Sequence, residues 1–177
     1  KLKQLEAARF DKLAKSLPRS LKLHSPFSRI EACRSLSVPA ADRYPDGEID
    51  WIYIDADHSY EGALADLRAW APKLREDGLI LGHDFTDQAD SFGVIRAVAD
   101  FVASTDYRFL CLTTDYFPTF VLSRSMTGTT EKLLRSLFSS ERFLYQLDTK
   151  AILSVHHQRY PRGASKTGVL STFLPQG

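Results

Sequence analysis

Two apolar runs that each end in acidic and imidazole side chains constrain this chain more than any other feature. The first, Ile49-Asp50-Trp51-Ile52-Tyr53-Ile54, passes straight into Asp55-Ala56-Asp57-His58-Ser59-Tyr60-Glu61-Gly62. The second, Leu79-Ile80-Leu81-Gly82, passes into His83-Asp84-Phe85. Between them Tyr60, Leu64, Leu67, Ala71 and Leu74 fall on one face of a helix, with Glu61, Asp66, Arg68 and Lys73 elsewhere. Ser59 is placed to cap that helix. Lys73 and Arg75 suit the negative end of its dipole, and Gly78 suits the position just past its end. A strand, a helix and a strand in this order predict a βαβ unit. Apolar residues on both faces of 50–55 predict a parallel, central strand covered on both sides. Ligands in open α/β sheets sit at the carboxyl ends of strands. Two neighbouring strands that end in Asp and His therefore predict one shared polar pocket able to hold a divalent ion.

The flanking segments predict a larger mixed fold. Leu2, Leu5, Phe10, Leu13 and Leu17 have near-helical spacing up to Pro18, and Leu21–His24 is a short strand candidate. Ser28 is placed to cap a helix running through Ile30, Ala32 and Leu36, and Tyr44-Pro45-Asp46-Gly47 reads as a turn. Val94, Ile95, Val98, Phe101 and Val102 mark another amphipathic helix. Segments 108–112 and 119–122 predict an antiparallel pair at the sheet edge, joined by Asp115-Tyr116-Phe117-Pro118. One or two helices are expected over 129–157, and a loose tail after Tyr160. The domain reading is a sheet-bearing region over 1–125, a helical extension over 126–160 and the tail over 161–177.

The totals narrow the function classes. With 177 residues, 44% of them hydrophobic, the chain is long enough for one soluble domain with a substantial core. Its 23 basic and 22 acidic residues give a net charge of +1, and no dense Lys/Arg run occurs, which argues against a nucleic-acid surface. No apolar run approaches the roughly 20 residues that span a bilayer. Cys33 and Cys111 are far apart and read as free thiols in a reducing compartment. The expected location is the cytoplasm.

Asp55, Asp57, His58, His83 and Asp84 are the residues that carry chemistry. Two ionised carboxylates repel unless a cation lies between them, and oxygen ligands with open positions suit Mg²⁺ or Mn²⁺. Each has a structural alternative. Asp57 or Ser59 would serve as a helix cap, His58 as a hydrogen-bonding neighbour of the ligands, and His83 as a neutral ring packed on the sheet. Asp55 and Asp84 are hardest to explain structurally, because both directly follow apolar strands. Trp51, Tyr53 and Trp70 read as core aromatics. Tyr116 and Phe117 read as half-buried turn residues, and His156, His157 and Arg159 as a solvated helix end.

The run Ile54-Asp55-Ala56-Asp57-His58-Ser59-Tyr60-Glu61, with Asp66-Leu67, Trp70, Leu74, Gly78 and Gly82-His83-Asp84, resembles class I S-adenosylmethionine-dependent methyltransferases. It is most similar to the small-molecule O-methyltransferase-like branch with an IDADHSYEG…GHD signature. Ser28-Arg29-Ile30-Glu31-Ala32 matches that family more loosely. The resemblance implies a Rossmann-like, mostly parallel α/β sheet ending in an antiparallel hairpin, with 50–55 as fourth strand and 79–82 as fifth. It implies S-adenosylmethionine as cofactor, contacted through Asp55, Ala56, Asp57 and His58. By the same resemblance Asp55, His83 and Asp84 would hold a metal such as Mg²⁺, with His58 and Asp55 acting in catalysis and His58 as the base. The acceptor would be a hydroxyl of a small molecule or sugar.

One part of the family pattern is not found. The family cradles the cofactor in a glycine-rich turn after its first strand, but this sequence has nine glycines and no G-x-G. The expectation is an N-terminally incomplete sheet lacking its first two strands. It would expose the edge of strand 50–55 and so favour homo-oligomers. Two alternatives stay open: a catalytically inactive remnant or interaction module, and a metal-dependent phosphoesterase built on D-x-D-H and G-H-D.

Overall fold

A computed structural model describes residues 33–88, 92–114, 116–139, 144–146, 149, 150 and 152. The expected helix over 1–17, the strand at 21–24, the Ser28 cap and the tail lie outside the described residues. The chain divides into two compact units, 1–36 and 37–177. Of the first, only Cys33–Leu36 are described. These four are not helical, so the helix expected to run through Leu36 does not reach it.

The second unit begins instead with a short helix, α1 (Ser37–Ala41). Pro39 sits in its first turn, where the missing N–H would have no helical partner in any case. A turn at Asp46-Gly47 then leads into β1 (Ile49–Ile54), with Gly47 at φ 75°. Helix α2 (Tyr60–Trp70) follows, capped at Ser59, whose Oγ accepts from the Gly62 N–H at 3.1 Å. Pro72 stops the α-helix and a 3₁₀ turn (Ala71–Lys73) takes over. Strand β2 therefore starts early and runs Leu74–Gly82. Gly78 lies inside β2 rather than at the helix end where it was expected. Arg75 is likewise a strand residue, ion-paired to Asp50 at 2.6 Å.

After β2 comes a hairpin of two-residue strands, β3 (Asp87–Gln88) and β4 (Phe92–Gly93), then α3 (Val94–Ala103). β5 (Arg108–Thr113), β6 (Phe120–Ser123), α4 (Thr129–Phe138) and β7 (Leu144–Gln146) complete the described elements. Of the one or two helices expected over 129–157, Thr129–Phe138 forms one, while 144–146 is a strand. It pairs antiparallel with β5.

The main sheet has the order β1-β2-β6-β5-β7. β1 and β2 are parallel, while β2–β6, β6–β5 and β5–β7 are antiparallel. The fold is mixed α/β. The parallel majority expected for the sheet is not seen among the described strands, because the antiparallel pair 108–113 and 120–123 enters the sheet interior beside β2. Among the described residues β1 pairs on one side only, with β2.

Two cores sit on opposite faces. On one, α2 and α3 pack Leu64, Leu67, Ile95, Val98 and Phe101 against Ile52, Ile80, Phe109 and Leu122. On the other, Leu134 of α4 packs with Leu79, Leu110, Cys111 and Val121. Side chains alternate along β1. Ile52 therefore enters the first core, while Trp51 and Tyr53 lie outside the second and remain 62% and 48% exposed. This corrects the reading of both as core aromatics. Trp70 is partly buried against the first core, as that reading had it. Cys111 is a buried thiol, and burial pushes it up to about 12. No described helix is long and apolar enough to cross a membrane.

Gly82, the last residue of β2, is closely packed against the neighbouring strand. A Cβ there would lie 2.1 Å from the Phe120 ring on the neighbouring strand. Gly82→Ala should therefore cost about 1–3 kcal/mol through overpacking, read as a lower urea midpoint with unchanged m-value.

Candidate functional site

The site is assembled where β1 and β2 end. Their parallel register pairs Ile54 with Gly82, and the next amide, His83 N–H, donates to Ile54 O at 2.9 Å. Asp55 and the His83-Asp84 turn are thereby brought alongside each other. Asp55 is half-exposed, its side chain 50% accessible. Asp84 is buried and holds a left-handed backbone at φ 54°. Asp tolerates that region better than bulkier residues do.

The neighbours of Asp84 fix it there. The Phe85 N–H donates to Pro118 O at 2.9 Å, and the Phe85 ring is fully buried beside Phe109 and Phe120, at 5.3 and 5.8 Å. With Phe85 locked into the core, Asp84 takes the turn, and its carboxylate faces His58.

His58 lies in the lead-in to α2. Its Nε2 is 2.8 Å from Asp84 Oδ2 and 3.3 Å from Asp55 Oδ1. One donor atom from each of Asp55, His58 and Asp84 falls within 4.8 Å of the others. The His58 ring stacks on Phe92 of β4, with centroids 5.0 Å apart and planes within 1°.

The other candidates have different places. Asp57 Oδ1 accepts from the Ser59 N–H at 2.9 Å. Hydrogen bonds from the Ser59 backbone and hydroxyl hold the Asp57 carboxyl below its usual range. Asp57 thus shapes the turn before α2 and stays out of the cluster. His83 is adjacent to the cluster without joining it. Its Nδ1 is 3.4 Å from Asp84 Oδ1, and its ring lies 6.4 Å from that of Tyr53, whose hydroxyl meets Thr119 Oγ1 at 3.1 Å.

Sequence reasoning missed two features. Phe92 was assigned no role, and nothing in its local sequence distinguishes it. A cavity of about 250 Å³ runs beside β1, lined by Ile52–Ile54, Asp55 and Ala56, with Ser37 and Trp70 opposite. The Trp70 indole N–H donates to Ser37 Oγ at 2.9 Å. Burial raises the nearby Asp66 carboxyl above its usual range, opposed by a hydrogen bond with the Ser37 side chain.

Asp87, in β3, supports the hairpin that carries Phe92. Its Oδ1 accepts from the Ile95 N–H at the start of α3, 3.1 Å away, and its Oδ2 lies 3.3 Å from Arg96 Nε. Burial pushes its carboxyl up to about 6 despite the Arg96 charge.

Residues 4–85 match a protein family described as a methyltransferase domain, a span that includes Asp55, His58, His83 and Asp84. The match supports a methyltransferase family, whose domains typically use S-adenosylmethionine. The chain is also 32% identical over 77 residues to the uncharacterized protein y4gI of Sinorhizobium fredii (strain NBRC 101917 / NGR234). That alignment covers 44% of this chain and 8% of the relative's length.

Because the folded Asp87 carboxyl titrates near 6 and the unfolded one near 3.8, the folded state holds the extra proton between those values. Stability should therefore fall as pH rises from about 4 to about 6, by on the order of 2 kcal/mol. Asp87→Asn keeps an acceptor for Ile95 and should flatten this slope in urea titrations run across that range.

Proposed function

We propose that this chain carries the acid-base end of an S-adenosylmethionine-dependent methyltransferase acting on a hydroxyl of a small molecule or sugar. The observation that supports this reading best is the placement of His58 Nε2 between Asp84 and Asp55 at the ends of two parallel strands. With Nε2–H donated to Asp84, the other ring nitrogen keeps its lone pair and can take a proton from the acceptor hydroxyl. Asp84 and Asp55 then oppose the cost of the positive charge that the ring takes on. Asp84 is a buried partner of fixed orientation, and Asp55 is an exposed one. S-adenosylmethionine, when bound, supplies an electrophilic methyl group on a sulfonium. The Rossmann-like reading of the sheet is favoured by the βαβ unit β1-α2-β2 and by the antiparallel hairpin beside it.

The turn Asp55-Ala56-Asp57-His58 is assigned to the cofactor side. Asp55 and Ala56 line the cavity beside β1, and its polar wall of Asp55 and Ser37 suits a ligand with both charged and hydroxyl groups. A divalent ion would be held by Asp55 and Asp84, with His83 as the nitrogen donor, which leaves His58 free to act as the base. Two carboxylates and an imidazole fit Mn²⁺-like ions better than Mg²⁺, which prefers oxygen donors alone. Such an ion would lower the pKa of the acceptor hydroxyl. The protein is proposed to work in the cytoplasm on small molecules rather than nucleic acid or membrane. Self-association is proposed through the side of β1 that has no partner among the described strands.

Calorimetric titration with S-adenosylmethionine tests the cofactor assignment, and its expected outcome is saturable binding. His58→Gln should lower S-adenosylhomocysteine release, over a panel of hydroxylated acceptors at saturating S-adenosylmethionine, by about 10²–10⁴-fold. A folded chain that binds no S-adenosylmethionine would sink the reading and favour the inactive remnant.

A further inference from the structure

Resting on the assignment of His58 as the base, we propose that Phe92 is the positioning residue for His58. In this arrangement the β3–β4 hairpin is the brace that holds the imidazole toward Asp84 and Asp55. His58 lies in a loop, where an unsupported ring would turn freely about its side-chain torsions. Three features remove that freedom. The Phe92 ring lies parallel to it at 5.0 Å and fixes its plane. The Gly93 N–H donates to His58 O at 2.8 Å and fixes its backbone. The pairing of Gly93 with Asp87 and of Phe92 with Gln88 ties both contacts to one short antiparallel unit.

That unit is itself anchored at both ends. Asp87 is tied to α3 through the Ile95 N–H and Arg96. Arg96 lies over the Tyr60 ring at 5.5 Å, and the Tyr60 hydroxyl donates to Asp100 of α3 at 2.6 Å. Tyr60 begins α2 two residues after His58, and a Cβ on Gly93 would fall 2.6–2.8 Å from Tyr60 atoms. The contacts thus close a ring from His58 through the hairpin, α3 and Tyr60 back to His58. Phe92 is only half-buried and belongs to neither core cluster. Its main aromatic contact is the functional imidazole, which core packing alone does not account for.

The test compares wild-type protein with Phe92→Leu, Phe92→Met and Phe92→Tyr. His58 is labelled with ¹³C at Cε1, its signal is assigned by its loss in His58→Gln, and ring order is measured by relaxation. We expect loss of ring order in the Leu and Met variants, wild-type order in the Tyr variant, and an unchanged His83 ring in all three. The Met variant keeps side-chain bulk in case the Leu variant unfolds. A His58 ring equally rigid in a folded Leu or Met variant overturns the brace. In turnover, the Leu and Met variants should lose about 10- to 100-fold in kcat with unchanged S-adenosylmethionine affinity, and Tyr should restore it. A loosened ring with full turnover would uphold the brace and overturn His58 as the base, which separates the two ideas.

Discussion

The parallel pairing of β1 with β2, carried one hydrogen bond beyond the last strand residue by His83 N–H to Ile54 O, is the constraint on which the rest depends. A parallel pair needs a crossover, and α2 supplies it. The crossover must begin where β1 ends, so the residues that lead into the helix are also the residues at the site. His58 and Ser59 are neighbours, yet one joins the carboxylate cluster and the other caps the helix. A one-residue slip of β2 would carry Asp84 away from Asp55 and turn every β2 side chain to the other face. Leu79 and Ile80 face separate cores, which penalises such a slip heavily.

The sheet end is closed by an aromatic cluster rather than by polar groups. Phe85 lies against Phe109 and Phe120, and Phe120 covers Gly82. This apolar floor explains how one carboxylate can be buried next to a strand without losing its partners. Asp84 is held at the floor because the following residue, Phe85, is anchored in it, and the Asp84 carboxylate meets His58 at 2.8 Å. Asp55, on the open side, needs no such arrangement and stays half in solvent.

The βαβ unit was legible because its signals are local: the Ser59 cap, the 3.6-residue apolar spacing of α2 and two dense apolar strands. The antiparallel pair at 108–113 and 120–123 was legible for the same reason. Burial along β1 was not. Trp51 and Tyr53 look like core residues in sequence, but which sheet face is covered depends on where α4 lands, tens of residues later. Pro72 carried more information than Gly78 about where α2 ends, since a missing N–H breaks a helix outright whereas a glycine only permits the break. At the site, the strand-end pattern located Asp55, His58 and Asp84. Which of the two rings lies nearer the carboxylate pair was not legible, because spacing along a chain does not show which ring a positive-φ turn faces. Phe92 was invisible, being paired with His58 only through a distant hairpin.

Gly82 and Gly93 set a different kind of record within the molecule. Asp55 and His58 are partly exposed and contribute little to either core, so a lineage released from the chemistry is free to replace them. The two glycines have no such freedom, because one meets the Phe120 ring and the other the Tyr60 backbone whether or not any reaction occurs. Across descendants of this fold, drift should therefore separate the two classes. On the proposed function, copies that keep both the glycines and the Asp-His-Asp cluster would be those still selected for chemistry, and copies that keep the glycines alone would have retained only the architecture.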